Sequence, residues 1–317
     1  MSAGSEAGGL AVLQDLLRCK KLTAAKLPSY LSPSALIQYE KQPCTFFLER
    51  MIDDPQEREP QSMTAAVGSA FDYFIKIEIA RNLGQLEELR DTLWKGIFKD
   101  EDKKIYQGKS VNDILWCLNV EPHNRAEAAP VGKLLVEIYK QNDFDINKFN
   151  EVEIHKSYML KCNGLTVPII GKGDAKYESY PFDWKVKGYG SAASPTPGYY
   201  SLWQDGINKG SHKKYQDDIP FDLISDRYAT QLATYGWQSG FCNKGFVDFP
   251  AFIDELVIRG SNIRVAKYRG IITKSFQEKL AQRYANAWLE LRNGSYVASL
   301  PQDRKLIEIS AESETWY

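Results

Sequence analysis

The sequence predicts an α+β protein in which helices come first and a sheet flanked by helices follows. Three observations support this fold class. Apolar residues recur at helical spacing over much of residues 29–145, and three short β-rich runs then follow one another from Phe149 to Gly188. A further helix, a pair of strands and a last helix come after them.

The first strong element is a helix that begins at Ser32 and Pro33. Serine is a favoured N-cap and proline fits the first helical position, so this pair predicts a helix start. Pro43 predicts a break between two short helices, because proline has no amide hydrogen to donate. The helical pattern resumes at Met63 and runs through GSAFDYFIKIEIARNLG. Residues 85–145 are predicted to be mostly helical.

Three strands are predicted next, in the runs EVEIHKSYML, LTVPIIGKGDAK and PFDWKVK. Asn163-Gly164 lies between the first two runs and is a strong hairpin signal. The segment ESYP between the second and third runs is prone to turns. We therefore expect an antiparallel meander.

The remaining chain predicts one irregular segment and four elements. Residues 188–225 are rich in Gly, Pro, Ser and Tyr, and loops of this length are usually functional or disordered. Ser225 or Asp226 caps a helix that contains RYATQLATYGWQSGF. AFIDELVIRG and NIRVAKYRGII predict a hairpin, and a helix from about Ser275 to Arg292 follows it.

These elements divide the chain into four predicted segments. Residues 1–28 form a flexible tail with a short helix, and residues 29–145 form an N-terminal helical part. Residues 146–300 form the core that contains the sheet, and residues 301–317 form a C-terminal tail.

The composition is that of an ordinary globular protein, with 43% hydrophobic residues, 26% charged residues and a net charge of −1. No apolar run approaches the roughly 20 residues that span a membrane, and the N-terminus lacks the pattern of a secretory signal. The cysteines form no C-x-x-C pair, which argues against a zinc site, an iron–sulfur site and a disulfide framework and favours a reducing cytoplasm. They are Cys19, Cys44, Cys117, Cys162 and Cys242.

The stretch GDAKYESYPFDWK contains the residues with the clearest chemical signal. Asp183 and Lys185 are two apart on a predicted strand and therefore project to the same face. If the two runs pair as a hairpin, Asp174 converges on them from the neighbouring strand. Two carboxylates suit a hard cation such as Mg²⁺ or Mn²⁺, and the ammonium can orient a water or neutralise charge on a phosphate. The pattern predicts metal-dependent phosphodiester hydrolysis; solvated charges on an exposed strand are the alternative.

The order of these residues resembles the PD-(D/E)xK nuclease superfamily, in particular its RecB-like branch of bacterial and phage exonucleases. Asp174 matches the aspartate of the second motif, and Asp183 with Lys185 matches the third. A helix with Gln231 and Tyr235, four apart on one face, follows. In that branch this helix holds substrate or metal-bound groups beside the site. The resemblance implies a restriction-endonuclease-like αβββαβ core with a central mixed sheet and an N-terminal helical region.

Two N-terminal segments extend the resemblance. SPSALIQYEKQPCTFFLER is similar to the helical opening of the branch, although Pro43 and Cys44 stand in reversed order. VGSAFDYFI is similar to the segment in which the branch has a histidine four residues after a glycine. Here Gly68 is followed by Asp72 instead. This difference leaves open whether the chain binds one metal ion or two.

The resemblance implies one or two Mg²⁺ or Mn²⁺ ions, and Glu153 is a weaker further ligand candidate. In this scheme the ion lowers the pKa of a bound water, and Lys185 positions that water or stabilises the phosphate. No iron–sulfur cluster is expected, because only two cysteines lie near the regions where some relatives carry four. The implied metal ligands are Asp72, Asp174, Asp183 and a backbone carbonyl near Trp184.

Two groups of residues are predicted to contact nucleic acid. Aromatic and basic residues alternate in the segment 188–225, which suits stacking on single strands; packing of the aromatics onto the domain explains them equally well. Between Arg259 and Arg283 there are seven basic residues against the single acid Glu278, which form either a phosphate-tracking surface or a solvated face. The predicted contacts are Tyr199, Tyr200, Trp203, Lys213, Lys214, Arg264, Lys267 and Arg269.

From these patterns we expect a metal-dependent deoxyribonuclease, most plausibly an exonuclease of replication, recombination or phage DNA metabolism. Its expected partner is DNA, as single strands or duplex ends, in the cytoplasm of a bacterium or a phage-infected host, and no membrane is expected. One alternative is a nucleic-acid-binding subunit with an inactive nuclease fold, and another is a restriction-like endonuclease. The sequence does not determine the polarity of digestion, the preference for single or double strands, or the oligomeric state.

Overall fold

The computed structural model describes residues 27–51, 62–87, 122–142, 144–158, 160, 164–188, 199–203, 212–213, 219–259 and 262–293. The helices in these ranges are α1 (Pro33–Lys41), α2 (Pro43–Arg50), α3 (Met63–Asn82), α4 (Pro122–Lys140), α5 (Phe221–Ile224), α6 (Asp226–Gln238) and α7 (Lys274–Asn293). The strands are β1 (Phe149–Tyr158), β2 (Ile169–Tyr177), β3 (Tyr180–Gly188), β4 (Tyr199–Trp203), β5 (His212–Lys213), β6 (Phe249–Arg259) and β7 (Asn262–Ile272). The predicted α+β class is confirmed.

The strands form one mixed sheet in the order β1-β2-β3-β6-β7-β4-β5. β3 pairs with β6 in parallel. The pairs β2–β3, β6–β7, β4–β7 and β4–β5 are antiparallel. A parallel neighbour requires a long crossover connection, and α6 lies in the connection from β3 to β6. The meander of β2 and β3 and the hairpin of β6 and β7 are therefore where the sequence predicts them.

The two faces of the sheet differ in chemistry. On β3, Phe182 and Trp184 are buried against the apolar cluster that α3 and α4 provide, and we name this side the core face. Asp183 and Lys185 alternate with them and lie on the opposite side. Tyr228 of α6 donates a hydrogen bond to Glu255, which is the register partner of Lys185 on β6. We therefore name this side the α6 face.

The core face is closed by a tight crossing of α3 and α4. A Cβ atom at Gly132 of α4 would lie 2.6 Å from the Cβ of Ala70 on α3, so glycine permits the observed approach. Phe149, Phe182 and Trp184 form an aromatic cluster beneath these helices, with ring centroids 4.7–5.5 Å apart. Burial of such rings is the main stabilising contribution of this layer.

Helix α6 is fixed on its own face of the sheet by its cap and by a glycine. The Ser225 hydroxyl accepts a hydrogen bond from the amide of Tyr228 at 3.3 Å, so the predicted N-cap is confirmed. A Cβ at Gly236 would lie 2.2 Å from the ring of Phe249 at the start of β6. The helix therefore lies close against the sheet at this point.

The turn between β2 and β3 is as short as a hairpin permits. Tyr177 and Tyr180 are register partners, and Glu178 and Ser179 between them have φ of 50° and 73°. Two consecutive residues with positive φ are the pattern of a type I′ turn, whose twist matches that of antiparallel strands. Neither residue is a glycine, so the turn carries some backbone strain.

The described residues belong to two compact units. One unit contains the described parts of Met1–Arg58, Ser157–Gly171 and Ser275–Tyr317, and the other contains those of Glu59–Lys156 and Lys172–Lys274. Within the first unit, the Ser32 hydroxyl accepts a hydrogen bond from the amide of Ala35 at 3.1 Å, which confirms the predicted start of α1.

A bidentate ion pair also lies in the first unit. The guanidinium of Arg283 on α7 donates to both carboxylate oxygens of Glu40 on α1, at 2.7 and 2.8 Å. The break predicted at Pro43 is observed, because α1 ends at Lys41 and α2 begins at Pro43. No helix in the described ranges has the length and apolarity to cross a bilayer.

One prediction about the fold was wrong. Residues 188–225 are not irregular throughout: Tyr199–Trp203 forms β4 beside β7, and His212–Lys213 forms β5 beside β4. The partner of β4 is more than sixty residues away in sequence, and local composition does not report such a pairing. The predicted Asn163-Gly164 hairpin and most of the helical region predicted after residue 85 lie outside the described residues.

Candidate active site

Asp174 and Asp183 face each other across the β2–β3 pair. Ala175 and Phe182 are register partners, Asp174 and Asp183 lie one residue beyond this pair, and their carboxyl groups are close enough to interact. The Asp183 side chain is 0% exposed and the Asp174 side chain is 17% exposed. The convergence that the sequence predicts therefore occurs, with one carboxylate buried and the other at the edge of solvent.

Lys185 forms an ion pair with Asp183 from two positions along the same strand. Neither carboxylate oxygen of Asp183 accepts a well-aligned hydrogen bond from the described residues, so this ion pair is its main compensation. Burial by itself would lower the pKa of Lys185, but the charges of Asp183 and Asp174 raise it above its ordinary value. The lysine therefore stays protonated.

A second lysine, which the sequence analysis did not single out, contacts the same centre. Nζ of Lys76 lies 2.6 Å from Oδ2 of Asp72 and 2.8 Å from Oδ1 of Asp174. Its side chain is 2% exposed, whereas that of Asp72 is 32% exposed. The sequence signal for this contact is that Lys76 stands between Ile75 and Ile77, four residues after Asp72.

The two aspartates have pKa values that move in opposite directions. Burial raises the pKa of Asp183 well above its ordinary value, and the charge of Asp174 adds to the shift. Burial would also raise the pKa of Asp174, but the charge of Lys76 opposes it and, together with Asp183 and Lys185, lowers that pKa below its usual range. The carboxyl group of Asp174 thus ionises readily, whereas that of Asp183 keeps its proton to higher pH.

A buried glutamate lies next to Lys185 on the neighbouring strand. Glu255 on β6 is the register partner of Lys185 and is fully buried. It accepts hydrogen bonds from the hydroxyls of Tyr228 at 2.6 Å and Tyr268 at 3.2 Å. Burial and the nearby charge of Glu255 raise the pKa of Tyr228. This network was missed, because no single segment of sequence contains it.

Gln231 and Tyr235 lie on α6, which packs against the same face of the sheet. Gln231 follows Tyr228 by three positions, and its amide oxygen is buried and accepts no hydrogen bond from the described residues. Tyr235 is buried within the helix packing. The predicted spacing on one helix face is observed, and the roles of both residues stay predictions.

Of the other two predicted ligands, the Asp72 carboxylate is less favourable, and the backbone carbonyl near Trp184 stays a prediction. Asp72 lies beside the centre, but the ammonium of Lys76 already contacts its carboxylate. The indole of Trp184 lies on the core face, where its Nε1 donates to the hydroxyl of Tyr139 at 3.2 Å. Trp184 could therefore contact a metal ion only through its backbone carbonyl, which is the group that the sequence predicts. Glu153 lies in β1, and its side chain is not among those described.

The carboxylate oxygens at this centre are of the type that binds Mg²⁺ or Mn²⁺. Asp174 and Asp183 supply carboxylate oxygens, and Asp183 lacks well-aligned hydrogen-bond donors in the described residues. Those residues contain no group of three His, Cys, Asp or Glu side chains placed to hold a metal. Mg²⁺ is commonly held by one or two carboxylates, with waters and substrate phosphates completing its shell. Two aspartates therefore suffice chemically.

The predicted basic surface is divided between the two faces of the sheet. Arg264 is the register partner of Val257 and shares the α6 face with Glu255. Lys267 and Arg269 are the partners of Asp254 and Phe252 and lie on the core face. The alternation of a strand separates residues that look contiguous in sequence. These residues therefore do not form one phosphate-tracking surface.

Lys267 and Arg269 instead border a cavity of about 660 Å³ on the core face. Nη1 of Arg269 lies 2.8 Å from Oδ1 of Asp254, and its guanidinium lies 5.2 Å from the ring centre of Phe252. The other oxygen of Asp254 accepts a hydrogen bond from Tyr139 at 2.5 Å. These contacts join Arg269 to the packing of this layer, and its predicted contact with nucleic acid stays a prediction.

The predicted aromatic contacts lie at the other edge of the sheet. Tyr199, Tyr200 and Trp203 are in β4, and Trp203 is the register partner of Arg264 on β7. Lys213 is in β5, paired with Ser201. The side chains of β4 and β5 and the whole of Lys214 lie outside the described residues.

Comparisons with known proteins give little support for an assignment. No family model matches the chain, and no curated protein matches it. Among solved structures, the chain is similar to the "Putative exonuclease" of Eubacterium rectale, with 15% identity, a TM-score of 0.44, and coverage of 84% of this chain and 82% of that one. At that TM-score the likeness decides neither fold nor activity. The centre of Asp174, Asp183, Lys185 and Lys76 is therefore the strongest indication of function.

Proposed function

We propose that this protein is a divalent-metal-dependent DNA nuclease, and specifically an exonuclease. The observation that carries the proposal is the meeting of Asp174 and Asp183 across one strand pair with Lys185 beside them. Closely placed buried carboxylates whose pKa values are pushed apart are expensive to maintain, and such groups cluster at functional sites.

In the proposed reaction, Asp174 and Asp183 would hold a Mg²⁺ or Mn²⁺ ion. When bound, such an ion supplies Lewis-acid polarisation of a phosphate oxygen and a lower pKa for a bound water. Lys185 stays protonated beside the two carboxylates and donates to the charge that develops on the phosphate. The buried network of Glu255, Tyr228 and Tyr268 fixes the floor of the site next to Lys185.

The order of elements supports a restriction-endonuclease-like core. Helices α3 and α4 precede the strands β1, β2 and β3; β4, β5 and α5 are added to the αβββαβ order at this point, and α6 then leads to β6, which is parallel to β3. The resemblance of the D…D-x-K and Q-x-x-x-Y pattern to RecB-like nucleases supports DNA as substrate and attack at ends. We propose single-stranded DNA or duplex ends as the substrate.

A digestion assay on linear and circular DNA, with Mg²⁺, Mn²⁺ or a chelator, tests this proposal. We expect acid-soluble nucleotides from linear DNA with either metal, none with chelator, and none from closed circles. Nicking of circular DNA would instead indicate an endonuclease. An absence of digestion of every substrate with both metals would contradict a nuclease.

One observation favours a second function, a nucleic-acid-binding subunit without catalysis. Lys76 contacts Asp174, and no third acidic ligand joins the two aspartates within the described residues. A protein that retards DNA in a gel but does not digest it with either metal, and binds no Mn²⁺ in solution, would support this alternative.

A further inference from the structure

We propose that the centre takes one divalent cation and not two, because the ammonium of Lys76 fills the second carboxylate-lined position, between Asp72 and Asp174. This inference rests on the proposed function and specifies how its metal site is filled. Asp174 has a carboxylate neighbour on each of two sides: Asp183, with which it interacts directly, and Asp72, to which Lys76 links it. The ammonium of Lys76 thus stands on the side of Asp72.

The contacts of Lys76 exclude a second ion on geometric grounds. Its Nζ is 2.6 Å from Oδ2 of Asp72 and 2.8 Å from Oδ1 of Asp174. A Mg²⁺ ion that bridged the same two oxygens would lie at about 2.1 Å from each. The ammonium and the ion therefore cannot both occupy this position.

The position of Lys76 is also held by the fold. It lies one helical turn after Asp72 on α3, so both side chains belong to the same helix face. The neighbouring Ile75 and Ile79 are fully buried, and the lysine side chain is 2% exposed. Moving this buried ammonium away from both carboxylates would remove two charge-assisted contacts from a group with little access to water, which is unfavourable.

The charges agree with a single ion. With Asp183 ionised, as a bound metal requires, the three carboxylates of Asp72, Asp174 and Asp183 face only two ammonium groups, those of Lys76 and Lys185. The cluster is one positive charge short of neutrality. One divalent cation brings it to a single positive charge, whereas two would leave three positive charges in a centre that is mostly closed to water. The negative charge of a substrate phosphate would neutralise the single positive charge that one ion leaves.

Counting bound Mn²⁺ tests the inference without an activity measurement. Titration calorimetry and the electron paramagnetic resonance signal of free Mn²⁺ both give the number of ions bound by the full chain. We expect one ion in the unmodified protein and two in Lys76→Met, where an apolar side chain of similar length vacates the carboxylate pair. Lys176→Met is the matched control. Lys176 lies on the same strand as Asp174 but outside the centre, and its Nζ is 2.5 Å from Oε2 of Glu151 on β1. This variant should bind one ion.

A second variant keeps the test decisive if Lys76→Met does not fold. Asp72→Asn retains Lys76 and its contact to Asp174, so we expect one ion with an affinity within threefold of the unmodified protein. A tenfold or greater loss of affinity would show that Asp72 is a ligand and overturn the inference. One ion in a folded Lys76→Met would also overturn it.

The outcomes separate this inference from the proposed function. Two ions in the unmodified protein, together with metal-dependent digestion, would overturn the single-ion site and leave the nuclease intact. No bound Mn²⁺ and no digestion would remove both.

Discussion

The carboxyl groups of Asp174 and Asp183 lie opposite each other on paired strands, and the protein drives their pKa values in opposite directions. The lowered pKa of Asp174 depends on Lys76, whereas burial and the charge of Asp174 itself raise that of Asp183. The two groups are thus electrostatically one unit. Changing either one should alter the titration of the other.

Asp174→Asn should abolish metal-dependent digestion while leaving the fold intact. The substitution removes one of two ligand carboxylates and one negative charge, so the pKa of Asp183 should fall towards its ordinary value. Digestion of linear DNA, circular dichroism, and a ¹³C nuclear magnetic resonance titration of the aspartate side chains provide the three measurements.

Asp145→Asn is the control for that substitution, because Asp145 is exposed and caps the short 3-10 helix Ile146–Lys148 with an oxygen that asparagine retains. It should keep full activity. Normal digestion by Asp174→Asn would count against the assignment of the site.

Lys185→Ala should lower kcat by about 10²–10³-fold, which is the typical cost of losing one preorganised charge-stabilising group. DNA affinity should change much less, because many other contacts contribute to it. Single-turnover digestion and gel retardation separate the two effects. Lys172→Ala removes an exposed lysine two positions before Asp174 and should leave both quantities unchanged. Equal losses in the two variants would contradict a specific role for Lys185.

The stability of the protein should fall above about pH 10, where tyrosine ionises in the unfolded chain. Burial raises the pKa of Tyr139 and of Tyr228, and nearby Asp254 and Glu255 raise them further. A raised pKa means that the folded state keeps the proton longer, so the stabilisation is complete below the unfolded pKa and is lost as pH rises above it. Urea unfolding between pH 7 and pH 11 measures the slope.

Tyr139→Phe should flatten that alkaline slope and reduce stability at pH 7 by roughly 1–3 kcal/mol, because Asp254 loses a donor in a buried position. Tyr180→Phe is the matched control, since the Tyr180 ring stacks on Phe241 and its hydroxyl makes no hydrogen bond among the described residues. An unchanged slope in Tyr139→Phe would show that Tyr139 does not titrate as its burial implies.

Gly132→Ala should destabilise the protein by roughly 1–3 kcal/mol, the usual cost of overpacking a core. The added Cβ would lie 2.6 Å from the Cβ of Ala70, so α3 and α4 would have to separate. Gly188→Ala is the control, because no atom lies within 4 Å of a Cβ there. Thermal unfolding distinguishes the two; equal melting temperatures would mean that the helix crossing adjusts without cost.

The local elements of this fold were predictable because their signals are local. Ser32 with Pro33 and Ser225 are caps whose hydroxyls accept the expected backbone amides. The pairing of Asp174 with Asp183 followed from two short runs joined by a turn-prone segment. In each of these cases the partners are close in sequence, and spacing alone brings them together.

The rest depended on contacts between distant segments. Lys76 comes from α3 and Glu255 from β6, and only the packed sheet brings them to the centre. The strand β4 pairs with β7, which its composition does not indicate. Lys267 and Arg269 looked like part of one basic surface, but strand alternation places them on the core face.

The short turn of Glu178 and Ser179 has a consequence for how the chain tolerates length changes. Because successive residues of a strand point to opposite faces, inserting or deleting one residue in β2 after Asp174, or in β3 before Asp183, would move that aspartate across the sheet. We consequently expect the number of strand residues between each aspartate and the turn to change only in steps of two among functional homologues of this chain, whereas the turn itself can vary in length.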